Sequence, residues 1–281
     1  MDRIFFSIVV VCLNPGNKLL PTVKSVLGQS FGGYEIVIKD GGSADGSLEG
    51  LPKEERIRTY VQPDRGIYDA MNQALPHVRG RYVLFLNCGD VLHDGQVLAR
   101  MADRIRQEER EKAAEKQYIF YGNQYNKQQK SVVYSAPAVN DFTCYRNVPC
   151  HQVCFYDARL FGERGYDTEY RVRADYEHFL YCIYEKKAQA VFADVLVADY
   201  EGGGFSETKE NRRISTQEHK RIAARYLGRA KAFLFRAVML LTLAPLRTRL
   251  AENERYASCY NRVKTAVYRL KGQGRRTGKR Q

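Results

Sequence analysis

The chain has 281 residues, 44% of them hydrophobic, enough to bury the core of one large α/β domain with or without an appendage, and the composition is that of a globular protein. Its formal charge of +13 is uneven: from Glu207 onward 20 Lys and Arg face 5 Asp and Glu, a net of +15, which leaves residues 1–206 at −2. Seven scattered cysteines form no CxxC pair, which argues against a disulfide framework and for reduced thiols in a cytosolic catalytic domain.

Met1-Asp2-Arg3 leads directly into an apolar run, so no room for a signal peptide is expected. Short apolar or β-branched runs at 5–13, 34–39, 57–61 and 80–86 read as buried strands. The stretches between them, 17–30, 43–50 and 66–78, carry helical spacing or helix starts. This alternation predicts an α/β fold with a mostly parallel, Rossmann-like sheet flanked by helices. Residues 95–116 continue as a helix whose end, 104–112, is too polar to be buried. Residues 118–123 and 131–134 read as paired strands, 151–156 as a further strand after Pro149, 174–185 as a helix and 190–199 as a last strand. Gly202, Gly203 and Gly204 close the core. Residues 207–281 are helical by pattern, with Pro245 as the strong breaker and a disordered end from Gly272. Within them, 230–244 is apolar but falls short of the roughly 20 residues a membrane span needs, and Lys231 and Arg236 interrupt it. It reads as a helix lying in the membrane interface.

The polar ends of the strands carry the chemistry. The 80–86 strand runs into Asn87-Cys88-Gly89-Asp90, a small polar cluster with one carboxylate at its tip. The 34–39 strand runs into Asp40 and the turn Gly41-Gly42-Ser43. Open α/β sheets bind ligands at such strand ends, so two carboxylates there point to one crevice. Between them, Asp64-Arg65-Gly66-Ile67-Tyr68-Asp69-Ala70-Met71-Asn72 begins as a turn and becomes a helix. Together with Ser7-Ile8-Val9-Val10-Val11-Cys12-Leu13-Asn14 and the helix from Thr22 to Ser30, this order of segments resembles the family 2 glycosyltransferases of the GT-A fold over about residues 5–206. The resemblance implies transfer of a sugar from a nucleotide-sugar donor.

Such a transfer expels a nucleoside diphosphate, whose charge a divalent cation held by carboxylate neutralises as a Lewis acid. By the resemblance, Asp90 matches the last aspartate of the family's metal-binding DxD motif, and Mg²⁺ or Mn²⁺ suits an oxygen-rich site that phosphate completes. Asn87 stands where many relatives carry the first aspartate, so it is expected to bind the ribose or a metal-bound water, with weaker metal affinity; Cys88 and Gly89 line the same turn. Asp40 matches the aspartate that accepts a ring N–H of uracil, a source of base specificity. Val11, Leu13 and Asn14, with Asp64, Asp69 and Asn72, match the segments under the nucleotide and donor sugar. Asp175 matches the base that takes the acceptor's proton in an inverting transfer, with Glu177 as the substitute. His151-Gln152 resembles a pair lining the sugar site, and residues 200–206 a turn closing over the diphosphate. Plainer roles stay open for several of these: Asp90 as the cap of a helix near Gly95, Asp40 and Ser43 as a cap near Ala44, Asp175 as an acid favoured by the helix dipole, and His151 as a structural side chain.

Other classes fit less well. A nucleotidyltransferase usually carries a basic glycine-rich loop after its first strand, whereas Asn14-Pro15-Gly16-Asn17-Lys18 offers one Gly and one Lys. The GxGxxG of a nicotinamide oxidoreductase is missing there. A nucleic-acid-binding protein is suggested only by the basic tail, and the sheet region is slightly acidic with no such motif. The expectation is therefore a cytoplasmic, metal-dependent, inverting glycosyltransferase with a UDP-linked donor. It would work at the inner face of a membrane on a lipid-linked or polysaccharide acceptor of cell-envelope or exopolysaccharide biosynthesis. Residues 1–206 would form the catalytic domain and 207–281 a basic amphipathic tail for membrane association or homo-oligomerisation.

Overall fold

Two strands of β-branched and aromatic residues begin the chain: β1 (Phe6–Cys12) and β2 (Tyr34–Asp40), buried at every position. That pattern belongs to parallel strands covered on both faces. The structure, a computed structural model, describes residues 4–111, 116–146, 148–202 and 208–242. With β3 (Ile57–Val61) and β4 (Tyr82–Phe85) they form a parallel unit in the order β3-β2-β1-β4. Alternate residues face opposite sides. Ile8, Val10 and Ile36 pack with Leu19, Val23 and Val26 of α1 (Leu19–Leu27), while Val9, Val37 and Phe85 pack with Tyr68, Met71 and Ala74 of α2 (Ile67–Ala74).

Beyond β4 the sheet becomes mixed. The elements that follow in sequence are β5 (Val91–Leu92), α3 (Val97–Glu111), β6 (Tyr118–Asn126), β7 (Ser131–Val133), α4 (Asp141–Arg146), β8 (Cys154–Asp157), α5 (Ala174–Tyr184) and β9 (Gln189–Tyr200). The sheet continues β4-β8-β6-β9-β5, with β7 on β6; β8 runs antiparallel to both its neighbours, β6 parallel to β9, and β5 antiparallel to β9. The parallel order expected from the alternating pattern thus holds through β4 and gives way at β8, which runs antiparallel between β4 and β6.

Two local expectations are corrected. Residues 43–50 form turns instead of a helix, because side chains capture the backbone donors first: Asp40 takes Gly42 N and Ser43 N, and Asp45 takes Ser47 N and Gly16 N. Residues 151–153 form a 3-10 turn before β8, closed by Val153 N donating to Cys150 O at 3.0 Å, so His151 and Gln152 sit on a turn and not in a strand.

After residue 208 come α6 (Lys209–Leu227) and α7 (Arg229–Leu241). Thr208 caps α6, its side chain accepting from Asn211 N. α6 places Ile222, Ala223 and Leu227 in the cluster that holds Phe179 and Leu180 of α5. α7 rests on α4 through Phe235, whose ring lies 5.4 Å from Phe142, and through Lys231, which pairs with Asp141 at 2.6 Å. No described helix is long and apolar enough to cross a membrane. The Pro245 break, the end from Gly272, and Gly203, Gly204 and Ser206 of the expected closing turn lie outside the described residues.

Candidate active site

The end of β4 turns sharply at Gly89, whose φ of +103° is a conformation glycine adopts without strain, and a side chain there would meet Glu201 Oε2 at 2.4 Å. The turn folds Asp90 back under the strand, 3% exposed. Its Oδ1 accepts from Glu201 N at 2.9 Å and its Oδ2 from Gln152 Nε2 at 3.0 Å. Burial pushes this carboxyl above its ordinary range, against the opposing pull of those two donors and of His151. Among the described residues no cationic side chain pairs with it. A buried carboxylate without a counter-charge is costly, and a bound cation would relieve it.

His151 links this turn to α5. Its Nδ1 lies 2.9 Å from Asp175 Oδ2 and its Nε2 3.1 Å from Asn87 Oδ1. Asp175 Oδ1 in turn accepts from Tyr176 N at 2.8 Å and is 2.9 Å from the Tyr68 hydroxyl, which also reaches Val172 O. Asn87, His151, Asp175 and Tyr68 therefore form one connected chain from the end of β4 to the start of α5, and Gln152 ties it to Asp90. Burial raises the Asp175 carboxyl, but the bond and charge of His151, the Tyr68 hydroxyl and Tyr176 N–H outweigh it, leaving the group below its ordinary value. Asp175 also opens onto a cavity of about 310 Å³. Glu177, its substitute in the sequence reading, is fully enclosed, paired with Arg164 at 2.9 Å and bonded by the Tyr226 hydroxyl.

The turns after β1 and β2 interlock beside this chain. Asn14 N donates to Ser43 Oγ at 2.7 Å, and Asn14 Oδ1 accepts from Ala44 N at 2.9 Å. Asp40 accepts from four donors of its own surroundings, Gly42 N, Ser43 N, Ser43 Oγ and Cys12 Sγ. Burial works to raise its carboxyl, yet these bonds hold it below the ordinary range. Asp64 pairs with the enclosed Lys39 at 2.7 Å, and a side chain on Gly41 would come within 2.8 Å of Asp64 Oδ2. Leu13 stands exposed next to Gly41, while Val11 is buried. Burial pushes the Cys88 thiol up to about 12, so it stays protonated at neutral pH.

The structure does not bring Asp69 and Asn72 into the chain around His151. Asp69 Oδ2 takes Arg65 N at 2.8 Å and Gln73 Nε2 at 3.1 Å, fastening the entry of α2. Asn72 is spent on the backbone of Tyr166, donating to its O at 2.8 Å and accepting from its N at 2.7 Å.

Three contributors were not singled out by sequence reasoning, although Glu201 lies in the 200–206 turn that it marked. Tyr68 looks like any aromatic on an amphipathic helix. Glu201 reaches Lys18 across 183 positions, at 2.9 Å. Glu218 of α6 accepts Arg171 N, Val172 N and Arg173 N at 2.7, 3.0 and 2.9 Å, and so holds the loop that delivers Asp175.

A sheet that is parallel up to a polar strand end, with carboxylates gathered there and a cavity beside them, is the arrangement in which α/β enzymes bind their ligands. Residues 7–170 match the model of "Glycosyl transferase family 2". The chain is 30% identical over 257 residues to the "PGL/p-HBAD biosynthesis glycosyltransferase" of Mycobacterium bovis (strain BCG / Pasteur 1173P2), covering 87% of this chain and 98% of the relative. It belongs to glycosyltransferase family 2. The fold is shared with S. aureus TarS 1-349 in complex with UDP, at a TM-score of 0.59 and 18% identity over 80% of this chain and 71% of that one; the chain spans 43% of a longer TarS structure. It is also shared with the mannosyltransferase PcManGT of Pyrobaculum calidifontis, in complex with GDP-Man and Mn²⁺, at a TM-score of 0.58 and 14% identity over 94% of this chain and 86% of that one.

Proposed function

We propose that the chain transfers a sugar from a UDP-linked donor, with inversion, to a hydroxyl of a lipid-linked or glycan acceptor in envelope or exopolysaccharide assembly. The observation that carries this is the hydrogen-bonded chain from Asn87 through His151 to Asp175, which sets a carboxylate at a cavity next to the donor-side turn. Asp175 takes the acceptor's proton as its hydroxyl attacks the anomeric carbon, and His151 and Tyr68 hold that carboxylate in place. The interlocked turns at Asn14 and Asp40, with the exposed Leu13, form the edge on which the nucleotide lies; Asp40 builds that edge, and Asp64 stiffens it through Lys39. TarS bound to UDP supports a uridine donor.

The donor set suits a divalent cation of modest affinity. Among the described residues no group of three or more His, Cys, Asp or Glu converges on one point. Asp90, with Asn87 beside it, would instead hold the ion by one carboxylate while donor phosphate and water complete the shell. When bound, it supplies charge neutralisation to the departing diphosphate. The Mn²⁺ in PcManGT supports this reading.

α7 supports attachment to a membrane. Phe233, Leu234, Ala237, Leu240 and Leu241 share one helical face, which is largely exposed, while Phe235 turns toward α4. Arg229 and Arg236 flank that stripe. Such a helix lies in an anionic interface, here the inner face of the cytoplasmic membrane.

Incubating the protein with a panel of UDP- and GDP-sugars and measuring released nucleoside diphosphate tests the assignment. Turnover is expected with a UDP-sugar, lost with EDTA, and reduced at least ~10²-fold in Asp90→Ala, the scale of removing a principal electrostatic stabiliser. Full activity of Asp90→Ala, or indifference to EDTA, would remove the cation from Asp90.

A further inference from the structure

The cavity beside Asp175, about 310 Å³, lies at the small end of ligand sites. Val133, Ala136, Val148, Pro149, Val153 and Val172 give it an apolar side, and Gln124, Arg173 and Asp175 are among its polar lining. Its two serine hydroxyls are already engaged, while the Tyr176 hydroxyl is buried without a partner among the described residues. Ser135 Oγ donates to Gly122 O at 2.7 Å, and Ser215 Oγ accepts from Arg173 Nε at 2.8 Å. A polyhydroxylated chain would leave the donors and acceptors it turns to that apolar side unmatched.

The cavity's cation is Arg173. Its Nε is fixed to Ser215 O and Oγ at 3.1 and 2.8 Å, and its guanidinium carbon lies 5.7 Å from the centre of the Tyr176 ring. No described residue hydrogen-bonds or ion-pairs with its Nη1 or Nη2. A guanidinium held along one edge, with its terminal nitrogens unengaged, suits bidentate capture of a planar or tetrahedral oxyanion.

We propose that this cavity is the acceptor site and that Arg173 anchors in it an anionic group, phosphate or carboxylate, on an acceptor whose other surface in the cavity is apolar. The proposal rests on Asp175 being the base, since that carboxylate fixes where the attacking hydroxyl sits. It narrows the acceptor from any glycan to an amphiphilic acid, in which the apolar body contacts the valines and the acid group meets Arg173.

The test is calorimetric titration of the full chain with phenyl phosphate, benzoate and uncharged benzyl alcohol. At least one anion should bind, Arg173→Gln should weaken it tenfold or more, and Arg173→Lys should keep part of the affinity, while benzyl alcohol distinguishes none of the three proteins. Which anion binds tells phosphate from carboxylate. Val133→Phe fills the cavity from β7 without touching Arg173, and it should abolish binding of all three probes. UDP titrated into each variant reports whether it has folded. Failure of both anions to bind wild type, equal binding by Arg173→Gln, or probes that still bind Val133→Phe would each overturn the proposal. A protein that releases UDP from a donor yet binds neither anion keeps the transfer reading and loses this one; one that binds an anion through Arg173 but turns over no donor keeps an anion site there and loses both the transfer reading and the acceptor role built on it.

Discussion

Asp175 meets a hydroxyl, a backbone N–H and an imidazole, and each fixes a different property of it. Tyr176 N and Tyr68 hold Oδ1, while His151 holds Oδ2 and is itself held at Asn87. Asp175→Asn keeps the shape and Oδ1 contacts but removes the basic oxygen, so transfer should fall about 10²-fold or more while UDP affinity stays within a factor of a few. Stopped acceptor turnover beside unchanged UDP titration would bear this out, and wild-type transfer would remove Asp175 from the role of base. Because its carboxyl lies below the ordinary value, it stays ionised to lower pH than an unperturbed aspartate of about 3.9. Its ionisation therefore stabilises the fold at neutral pH, and that contribution is lost as pH falls through the depressed value. If Asp175 alone sets the acid limb of the rate profile, transfer should persist to lower pH than an unperturbed aspartate base would allow.

Helix α6 acts on Asp175 from a distance, through the loop that precedes it. Glu218 collects the three N–H groups of Arg171, Val172 and Arg173 as the chain enters α5, and Ser215 fixes the Arg173 side chain. Glu218→Ala leaves those donors without their acceptor, which for partly buried amides costs about 1–3 kcal/mol. The loop then loosens at Asp175, and misplacement by about 1 Å is enough to cost ~10²-fold in rate. The expected signature is a fall in kcat with little change in KM for the donor, partly restored by Glu218→Gln, which can still accept. An equal loss in both parameters, or a loss of melting temperature with kcat intact, would make Glu218 merely structural. The elements themselves followed from local pattern where the pattern was undisputed: β1 and β2 are short, largely apolar runs, and α2 carries helical spacing. The 43–50 turn and the 151–153 turn were missed because aspartate side chains and a glutamine reaching Asp90 compete with the regular backbone ladder, and competition of that kind has no period.

On the scale of the whole molecule, the basic charge and the apolar stripe of α7 belong to one end of the chain. Each Lys or Arg near an anionic leaflet contributes on the order of 1 kcal/mol, so several acting with a shallowly buried stripe give stable peripheral attachment. Because α6 is packed into the core through Leu227 and α7 lies on the surface, a cut after Gly228 should leave a folded, active protein. That protein should no longer float with anionic liposomes, whereas the full chain should; a full chain that never floats would favour an interface between copies. The sequence by itself determined the succession of strands and helices at the start of the sheet, the polar strand ends and the family, because each of these is written in contiguous residues with a fixed period or spacing. Only the tertiary structure decided that His151 joins Asn87 to Asp175, that Glu218 holds the loop before Asp175, and that Ser215 fixes Arg173 in the cavity wall. Those partners come from segments tens of positions apart, and hydrogen bonds at such separations are chosen by packing, which no local pattern encodes.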